Sequence, residues 1–177
     1  MRLTISGPPG SGKTTVCGKL SSLLSLKAIT FGKIFREIAV ERNMTLSELG
    51  EAAEKDRSID EMIDSRILGT ARENDNIILE SRLSAYMLTN NGIPAFRIYI
   101  DASPDVRVAR IGKRDHETIE QAMAETAERE RSEAKRYMMY YGIDLNDKSV
   151  YDLIVNTDLL DPDQTANVIL RALEARR

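Results

Sequence analysis

Residues 7–14 read Gly7-Pro8-Pro9-Gly10-Ser11-Gly12-Lys13-Thr14. The run satisfies the pattern G-x-x-x-x-G-K-[ST] at every fixed position. Glycine-rich chain can curve so that several backbone N–H groups converge on one phosphate, because no Cβ atoms obstruct the approach. An apolar strand pattern precedes the run at Arg2–Ser6, and an amphipathic helical pattern follows it at Thr14–Leu24. We therefore predict a phosphate-binding loop between the first strand and the first helix.

The residues of this loop have distinct predicted tasks in binding ATP. The positive end of the following helix adds to the attraction for phosphate. Lys13 supplies a mobile charge to the β- and γ-phosphates and is a predicted catalytic residue, and the Thr14 hydroxyl is the predicted metal ligand. The predicted ATP-binding set is Gly7, Pro8, Pro9, Gly10, Ser11, Gly12, Lys13, Thr14 and Thr15. ATP is therefore the expected phosphate donor, with Mg²⁺ as its metal ion.

Short apolar segments alternate with longer helical patterns along the rest of the chain. The predicted strands are Arg2–Ser6, Ala28-Ile29, Asn76–Glu80, Phe96–Asp101 and Tyr151–Asn156. Because strands separated by helices pair in parallel, the pattern predicts a three-layer α/β fold around a central five-stranded parallel sheet, the P-loop NTPase architecture. Sheets of this kind bind ligands at the carboxyl ends of their strands, so functional residues are expected directly after each strand.

Helix starts and one helix face are also marked in the sequence. Capping boxes are predicted at three places, and a cap residue precedes a proline at two more. The boxes are Thr45–Glu48, Ser58–Glu61 and Thr118–Gln121, and the cap–proline pairs are Ser103-Pro104 and Asp161-Pro162. The first helix is expected to pack through the stripe Val16, Leu20, Leu23 and Leu24.

Composition limits the partners and the compartment. The chain has 177 residues, a formal net charge of −3 and no apolar run that approaches the ~20 residues of a membrane span. Net acidity argues against binding to nucleic acid or anionic lipid. The single cysteine, Cys17, excludes an internal disulfide and is expected to pack in the core. We expect one domain over residues 1–177, in a cytoplasmic monomer that binds small-molecule nucleotides and has no nucleic-acid or membrane partner.

Three further groups of residues distinguish among proteins that carry such a loop. After the second strand, Thr30, Gly32 and Arg36 can form a second anion site, in which Arg36 offers a planar fork to a phosphate. After the third strand, Glu80 and Arg82 place a carboxylate and a guanidinium at the functional edge of the sheet. Arginines then recur after the fourth strand, at Arg107, Arg110 and Arg114 and again at Arg129, Arg131 and Arg136.

Six segments carry a family resemblance: Ser6–Thr15 (SGPPGSGKTT), Phe31–Arg36 (FGKIFR), Ile78–Leu83 (ILESRL), Glu130–Tyr137 (ERSEAKRY), Tyr140–Asp144 (YYGID) and Tyr151–Thr157 (YDLIVNT). Through them the chain resembles the nucleoside monophosphate kinase family over nearly its whole length, and within it the short cytidylate kinases of archaea. The resemblance implies a sheet core, a helical monophosphate-binding insertion at about 30–72 and an arginine-bearing lid at about 114–136.

The resemblance also implies roles for matching residues. Arg36 and Arg82 resemble the arginines that hold the acceptor phosphate, and Thr30, Gly32 and Glu80 complete the predicted monophosphate-binding set. The predicted catalytic residues besides the loop lysine resemble lid or lid-adjacent arginines that clamp the transferring phosphoryl group. These are Arg110, Arg114, Arg131 and Arg136.

Two positions depart from the family pattern. Phe31 stands where many relatives have a small polar residue, and Ser81 stands where glycine commonly follows the acidic residue. Neither change removes a charged group, but both bear on the acceptor pocket. The expected reaction is ATP-dependent phosphorylation of CMP or dCMP. The alternatives are an adenylate kinase, a broader UMP/CMP kinase, or a regulatory ATPase without a small acceptor.

Several side chains have two open interpretations. Glu80 either orients Arg82 or a metal-bound water, or forms a structural ion pair. Tyr137, Tyr140 and Tyr141 either stack on a base or anchor the lid helix to the core. His116, the only histidine, lies in a polar stretch and is expected to be a solvated loop residue.

Overall fold

The structure is a computed structural model in which residues 1–176 are described. Its five strands are β1 (Arg2–Ser6), β2 (Lys27–Thr30), β3 (Ile77–Glu80), β4 (Phe96–Asp101) and β5 (Leu153–Asn156). They form one sheet in the order β2-β3-β1-β4-β5, and every neighbouring pair is parallel. The predicted sheet is therefore confirmed, with strand bounds that differ by at most two residues.

Eight helices connect and cover these strands within residues 1–176. They are α1 (Lys13–Leu24), α2 (Phe31–Glu41), α3 (Leu46–Lys55), α4 (Ser58–Glu73), α5 (Ser84–Asn90), α6 (Pro104–Asp115), α7 (Ile119–Tyr141) and α8 (Pro162–Ala175). Three of them, α2 to α4, lie between β2 and β3, in the stretch where the insertion was predicted. The predicted lid stretch comprises the end of α6, a short turn and most of α7.

Side chains that alternate along the strands supply both faces of the sheet. Ile78 packs on one face with α1 and α8, through partners such as Leu20 and Ile169. The flanking Ile77 and Leu79 pack on the other face, against the helices between β2 and β3 and against α5. Because both faces are covered, the central strands are apolar throughout, as buried parallel strands usually are. The result is the predicted three-layer α/β arrangement.

The predicted helix starts are confirmed in most cases. Thr45 and Thr118 form capping boxes, and Asp161 forms one as well in front of its proline. The box predicted at Ser58–Glu61 is wrong, because Ser58 is already the first residue of α4. The backbone N–H and the hydroxyl of Ser58 both donate hydrogen bonds to the Asp56 carboxylate, two residues earlier. Ser103 precedes α6 as predicted, although its side chain makes no capping hydrogen bond.

One residue of the predicted α1 stripe is wrong. Val16 and Leu20 are buried, but Leu23 is 60% exposed, and Cys17 packs in the core as expected. The helix begins one residue earlier than predicted, and its buried face includes position 17 as well as 16 and 20. No helix within residues 1–176 combines the length and apolarity needed to cross a membrane.

Candidate active site

The phosphate-binding loop follows β1 and leads into α1. Gly7, Gly10 and Gly12 all have positive φ, between +79° and +149°, which is the conformation that favours glycine. The Lys13 ammonium donates a hydrogen bond of 2.7 Å to the Pro8 carbonyl, across the curve of the loop. The loop therefore has the strained, concave backbone that a phosphate-binding turn needs.

The loop lines a cavity of about 620 Å³ at the carboxyl ends of the strands, hereafter the main cavity. Its walls come from the loop, from α2, from the residues after β3, from α6 and α7, and from the segment after β5. Six cationic side chains line it, namely Lys13, Arg36, Arg82, Arg110, Arg114 and Arg129, against the two carboxylates Glu80 and Asp161. An excess of cations in an acidic protein is suited to a ligand with several negative charges.

Most of the predicted site residues meet in this cavity. All loop residues from Pro9 to Thr15 line it, and so do Gly32, Arg36, Glu80, Arg82, Arg110 and Arg114. Gly7, Pro8 and Thr30 lie outside its lining. Gly7 instead packs against β4, where an added Cβ would lie 2.0 Å from the Ile100 carbonyl oxygen. Thr30 is the N-cap residue of α2, although its side chain makes no capping hydrogen bond.

Arg131 and Arg136, which were predicted as catalytic residues, do not line the main cavity. Arg136 is 2% exposed and donates from Nε to Asp60 at 2.8 Å and from Nη1 to Ser132 at 2.7 Å. Arg131 is exposed and lies beside a groove between α3 and α7. On a helix with 3.6 residues per turn, position 131 points away from the face that carries Arg129. Arg136 lies two turns further along, where it reaches α4 instead of the loop.

Arg107 and Arg110 support the loop from α6. Arg107 donates from Nη1 to the Pro9 carbonyl at 3.2 Å and to Glu130 at 2.8 Å. Arg110 donates from Nη1 to the Thr157 hydroxyl at 3.0 Å and from Nη2 to the Thr157 carbonyl at 2.8 Å. These bonds tie the loop to α6 and to the end of β5. Thr157 was not predicted; only its position directly after a strand could have indicated it.

Arg82 and Arg129 enter the main cavity from opposite elements and share one carboxylate. Glu133 accepts from Arg82 Nε at 2.7 Å and from Arg129 Nε at 2.9 Å. Burial favours a neutral Glu133, but the two guanidinium groups outweigh it and lower the pKa of this carboxyl to about 2. The role of Arg129 was missed in the sequence, although its spacing of four residues from Glu133 on a helix is a signal for such a pair.

Arg36 lies half-buried among other cations. Burial lowers the pKa of its guanidinium, and the nearby Arg129 and Arg114 lower it further. Arg114 itself pairs with Asp115 on the exposed end of α6. Like charges that crowd without a ligand are unfavourable, so a bound anion would relieve the repulsion.

Thr14 and Glu80 meet in the wall of the main cavity. The Thr14 hydroxyl donates to Glu80 Oε2 at 3.1 Å, and Glu80 is 4% exposed. Glu80 therefore does not pair with Arg82, which binds Glu133 instead. A hydroxyl and a carboxylate oxygen beside a phosphate loop are hard oxygen donors, which fit Mg²⁺ together with water and phosphate oxygens. Within residues 1–176, no group of three or more His, Cys, Asp or Glu side chains could hold a metal without such ligands.

A narrow side pocket opens from the main cavity between α2, α4 and α7. It shares Gly32, Ser81, Arg82 and Arg129 with the main cavity and continues to Phe31, Phe35, Asp60, Ile63, Asp64, Glu133, Arg136 and Tyr137. Asp64 is 5% exposed and accepts a hydrogen bond of 2.8 Å from the Tyr141 hydroxyl. Three buried carboxylates, those of Asp60, Asp64 and Glu133, and the buried guanidinium of Arg136 thus line this pocket beside its aromatic and aliphatic side chains.

The tyrosines after the lid segment anchor α7. Tyr140 donates to the Ala53 carbonyl at 2.6 Å, and Tyr141 donates to Asp64. Tyr137 is 8% exposed and packs in a cluster with Leu83. These contacts favour the anchoring interpretation over base stacking for Tyr140 and Tyr141. His116 is exposed and caps the end of α6 in the left-handed conformation.

We expect Asp64→Asn to become more stable relative to the unliganded wild-type protein as pH rises. Burial raises the pKa of the Asp64 carboxyl to about 7, against about 3.9 in an unfolded chain. The folded protein thus retains a proton that the unfolded chain releases above pH 4, so stability falls between about pH 4 and pH 7. Asparagine cannot lose a proton and so removes this loss. The free energy of unfolding of the variant, relative to that of wild type, should therefore rise by on the order of 2 kcal/mol from pH 5 to pH 8.

Thermal unfolding at pH 5 and pH 8 checks this expectation. The exposed Asp163 supplies the matched control, because Asp163→Asn should give the same difference from wild type at both pH values. A pH-independent difference for Asp64→Asn would show that burial does not hold a proton on this carboxyl.

The chain is similar in sequence to kinases that act on nucleotides, as the cavity described above suggests. A model of the cytidylate kinase-like family matches residues 2–159. The chain belongs to that family. It is 46% identical to a cytidylate kinase of Halobacterium salinarum, with 99% of this chain and 90% of the relative covered. It is 47% identical to a cytidylate kinase of Methanosphaerula palustris, with 100% and 99% covered. The resemblance stated from the sequence is confirmed.

Solved structures with a similar fold are more distant in sequence. A shikimate kinase from Bacteroides thetaiotaomicron superposes with a TM-score of 0.63 at 17% identity, and 98% of each chain is covered. An uncharacterized protein from Eubacterium ventriosum gives a TM-score of 0.74, also at 17% identity, with 98% of each chain covered. These likenesses bear on the fold alone.

Proposed function

We propose that this member of the cytidylate kinase-like family transfers the γ-phosphate of ATP to CMP and dCMP, with Mg²⁺. One observation carries the proposal: guanidinium groups from α2, from the end of β3 and from α7 line the same cavity as the phosphate loop. A nucleotide switch needs the loop, but it does not need arginines on the far wall. A kinase needs them, because two negatively charged nucleotides must be held in line.

The donor would bind along the loop. Backbone N–H groups of the loop and the N-terminus of α1 would hold its phosphates, and Lys13 would reach the β- and γ-phosphates. The segment after β5, with Thr157, Leu160 and Pro162, lines the end of the main cavity that would take the adenosine. Thr14 and Glu80 would hold the metal, directly or through water, and the metal would supply charge neutralisation at the phosphates.

The acceptor phosphate would bind between Arg36, Arg82 and Arg129. Its oxygens are already ionised at neutral pH, so the protein needs no strong general base. The arginines instead orient the attacking oxygen and offset the charge on the equatorial oxygens in the transition state. Arg110 and Arg114 line the main cavity from α6, where the transferring group would pass. We retain residues 30–72 as the proposed acceptor insertion and 114–136 as the proposed lid.

The side pocket is the proposed place of the base. Cytosine presents an exocyclic amino group that donates hydrogen bonds, and a ring nitrogen and a carbonyl that accept them. Asp60 and Asp64 can accept from the amino group, whereas Arg136 can donate. Uracil presents a carbonyl in place of that amino group and would face a carboxylate. The pocket is narrow and Phe31 and Phe35 line its α2 side, which argues against a purine. CMP is therefore favoured over UMP and AMP.

Coupled ADP release with CMP, dCMP, UMP, AMP and GMP tests the substrate. We expect CMP and dCMP to be turned over with the highest kcat/KM values. A higher value for AMP would make the protein an adenylate kinase, and comparable values for UMP and CMP would make it a broader pyrimidine kinase. ATP hydrolysis that no monophosphate stimulates would favour the regulatory ATPase. Location in the cytoplasm and a monomeric state remain part of the proposal.

We expect Arg36→Ala to separate a kinase from a switch. Arg36 lines the acceptor side of the main cavity and has no place in the loop. Its loss should raise the KM for CMP and lower kcat, by about 10²-fold in kcat/KM, while ATP affinity changes less than threefold. Lys33→Ala is the matched control, because Lys33 is exposed on the same helix and pairs with Glu37. Equal losses for ATP and CMP would contradict the assignment.

A further inference from the structure

Glu133 is a fully enclosed carboxylate beside a site built for anions. Its side chain is 7% exposed, and it lies on α7, one turn after Arg129 on the same helix and next to Arg82 at the end of β3. A negative charge at this place opposes the binding of phosphate by simple Coulomb repulsion. Its presence therefore calls for a function that outweighs this repulsion.

Arg82 and Arg129 each bind Glu133 through their own Nε atom, and each contacts a different oxygen of the carboxylate. Each uses Nε, at 2.7 Å for Arg82 and 2.9 Å for Arg129. A guanidinium has one N–H on Nε and four on the two Nη atoms. Within residues 1–176, the Nη atoms of both arginines make no hydrogen bond, and both side chains line the main cavity. The carboxylate thus fixes each group by its stem side and leaves its fork for another anion.

The contrast with neighbouring arginines supports this interpretation. Arg107 and Arg110 donate hydrogen bonds from their Nη atoms to protein oxygens, namely those of Pro9, Glu130 and Thr157. Arg136 likewise gives Nη1 to Ser132. Arg82 and Arg129 are held in another way, and one carboxylate holds them together although they come from different elements.

We infer that Glu133 is a positioning residue that sets the two guanidinium forks of Arg82 and Arg129 toward the phosphoryl groups. Because one carboxylate binds both arginines, it fixes their mutual separation as well as their orientation. It also links α7, which carries Arg129, to the end of β3, which is followed by Arg82. The inference rests on the proposed kinase function and names how its acceptor arginines are organised.

Glu133→Gln gives a result whose sign separates positioning from plain charge. Glutamine keeps the size of the side chain but has only one acceptor oxygen, and its amide N–H₂ faces the second arginine. Removal of a negative charge alone would strengthen the binding of a polyanion. Loss of positioning should instead weaken it. We expect inorganic tripolyphosphate to bind the variant more weakly by about 10-fold in calorimetry, and kcat for CMP phosphorylation to fall roughly 10- to 100-fold.

A double-mutant cycle with Arg129→Ala tests whether Glu133 acts through the arginines. If it does, the loss in kcat for the double variant should be at least threefold smaller than the product of the two single losses. Glu54→Gln is the matched control, because Glu54 on α3 pairs with Lys135 of α7 at 2.5 Å and lies outside the main cavity. This control should keep kcat within twofold of wild type.

Three results would overturn the inference: tighter tripolyphosphate binding by Glu133→Gln, an unchanged kcat, or losses that multiply in the cycle. Should Glu133→Gln not fold, Glu133→Asp replaces it. Aspartate keeps the charge but is one methylene too short to reach both Nε atoms, so kcat should still fall at least fivefold, and wild-type activity would refute the inference. If the wild-type protein does not phosphorylate CMP, the proposed function fails, and tripolyphosphate binding still tests Glu133.

Discussion

Gly10→Ala should greatly slow phosphoryl transfer, although it adds only one methyl group. Gly10 has φ of +79°, and an added Cβ would lie 2.6 Å from the Arg107 carbonyl oxygen and 2.9 Å from the Arg107 Cα. Both neighbours are backbone atoms of α6, so neither can rotate away. The loop must shift, and a displacement of about 1 Å at a reacting group can cost 10²-fold in rate. We expect kcat/KM for ATP to fall at least about 10²-fold.

Two other glycines provide a graded comparison. Gly12 also has positive φ, at +92°, but its Cβ would meet only the Arg110 Nη1 atom at 4.0 Å, so strain acts there without a clash. Gly18 lies in α1 with nothing within 4 Å, and Gly18→Ala should stabilise the fold by about 0.5–1 kcal/mol with activity unchanged. Steady-state kinetics and thermal unfolding of the three variants should give losses in the order Gly10, Gly12, Gly18. Equal activity of Gly10→Ala and Gly18→Ala would contradict the packing of the loop on α6.

Local chemistry was enough to predict the sheet and the loop. Each strand is a short apolar run next to a helix signal, and the loop has its own residue pattern, so neither depends on distant contacts. The same holds for the capping boxes at Thr45 and Thr118, where the partner is three residues away. The prediction failed at Ser58, because the side chain that accepts a hydrogen bond from the start of α4 belongs to Asp56, two residues earlier.

The arginines could not be sorted by sequence in the same way. Arg129, Arg131 and Arg136 belong to one helix, and their tasks depend on which neighbour each side chain meets. Only the packing of α7 against α4 gives Arg136 an internal partner in Asp60, 76 residues away along the chain. The pairing of Arg82 with Glu133 spans 51 residues. The sequence shows that arginines are grouped along the chain. Contacts between residues far apart in the sequence decide which of these arginines remain available to a ligand.

Lys13→Ala should reduce kcat for CMP phosphorylation by about 10³-fold, because no other side chain of the loop carries a positive charge. Its ammonium is the one cation that can follow the phosphoryl group from within the curve of the loop. Lys19→Ala is the matched control on the same helix. Lys19 pairs with Asp163 on the surface, 2.5 Å away, and its loss should leave kcat unchanged. A loss below tenfold for Lys13→Ala would remove this residue from the mechanism.

The pH dependence of the wild-type protein tests the same lysine without a substitution. Burial lowers the pKa of the Lys13 ammonium to about 7, and Arg82 and Arg129 lower it further, whereas the carboxylates of Glu80 and Glu133 oppose this shift. The free protein therefore loses this charge as pH rises above 7, and kcat/KM for ATP should fall by up to about tenfold per pH unit between pH 7 and pH 9. Bound phosphates raise the pKa again, so kcat should hold to higher pH than kcat/KM does. In Lys13→Ala the decline in kcat/KM should vanish, and a decline of the same size in that variant would assign it to another group.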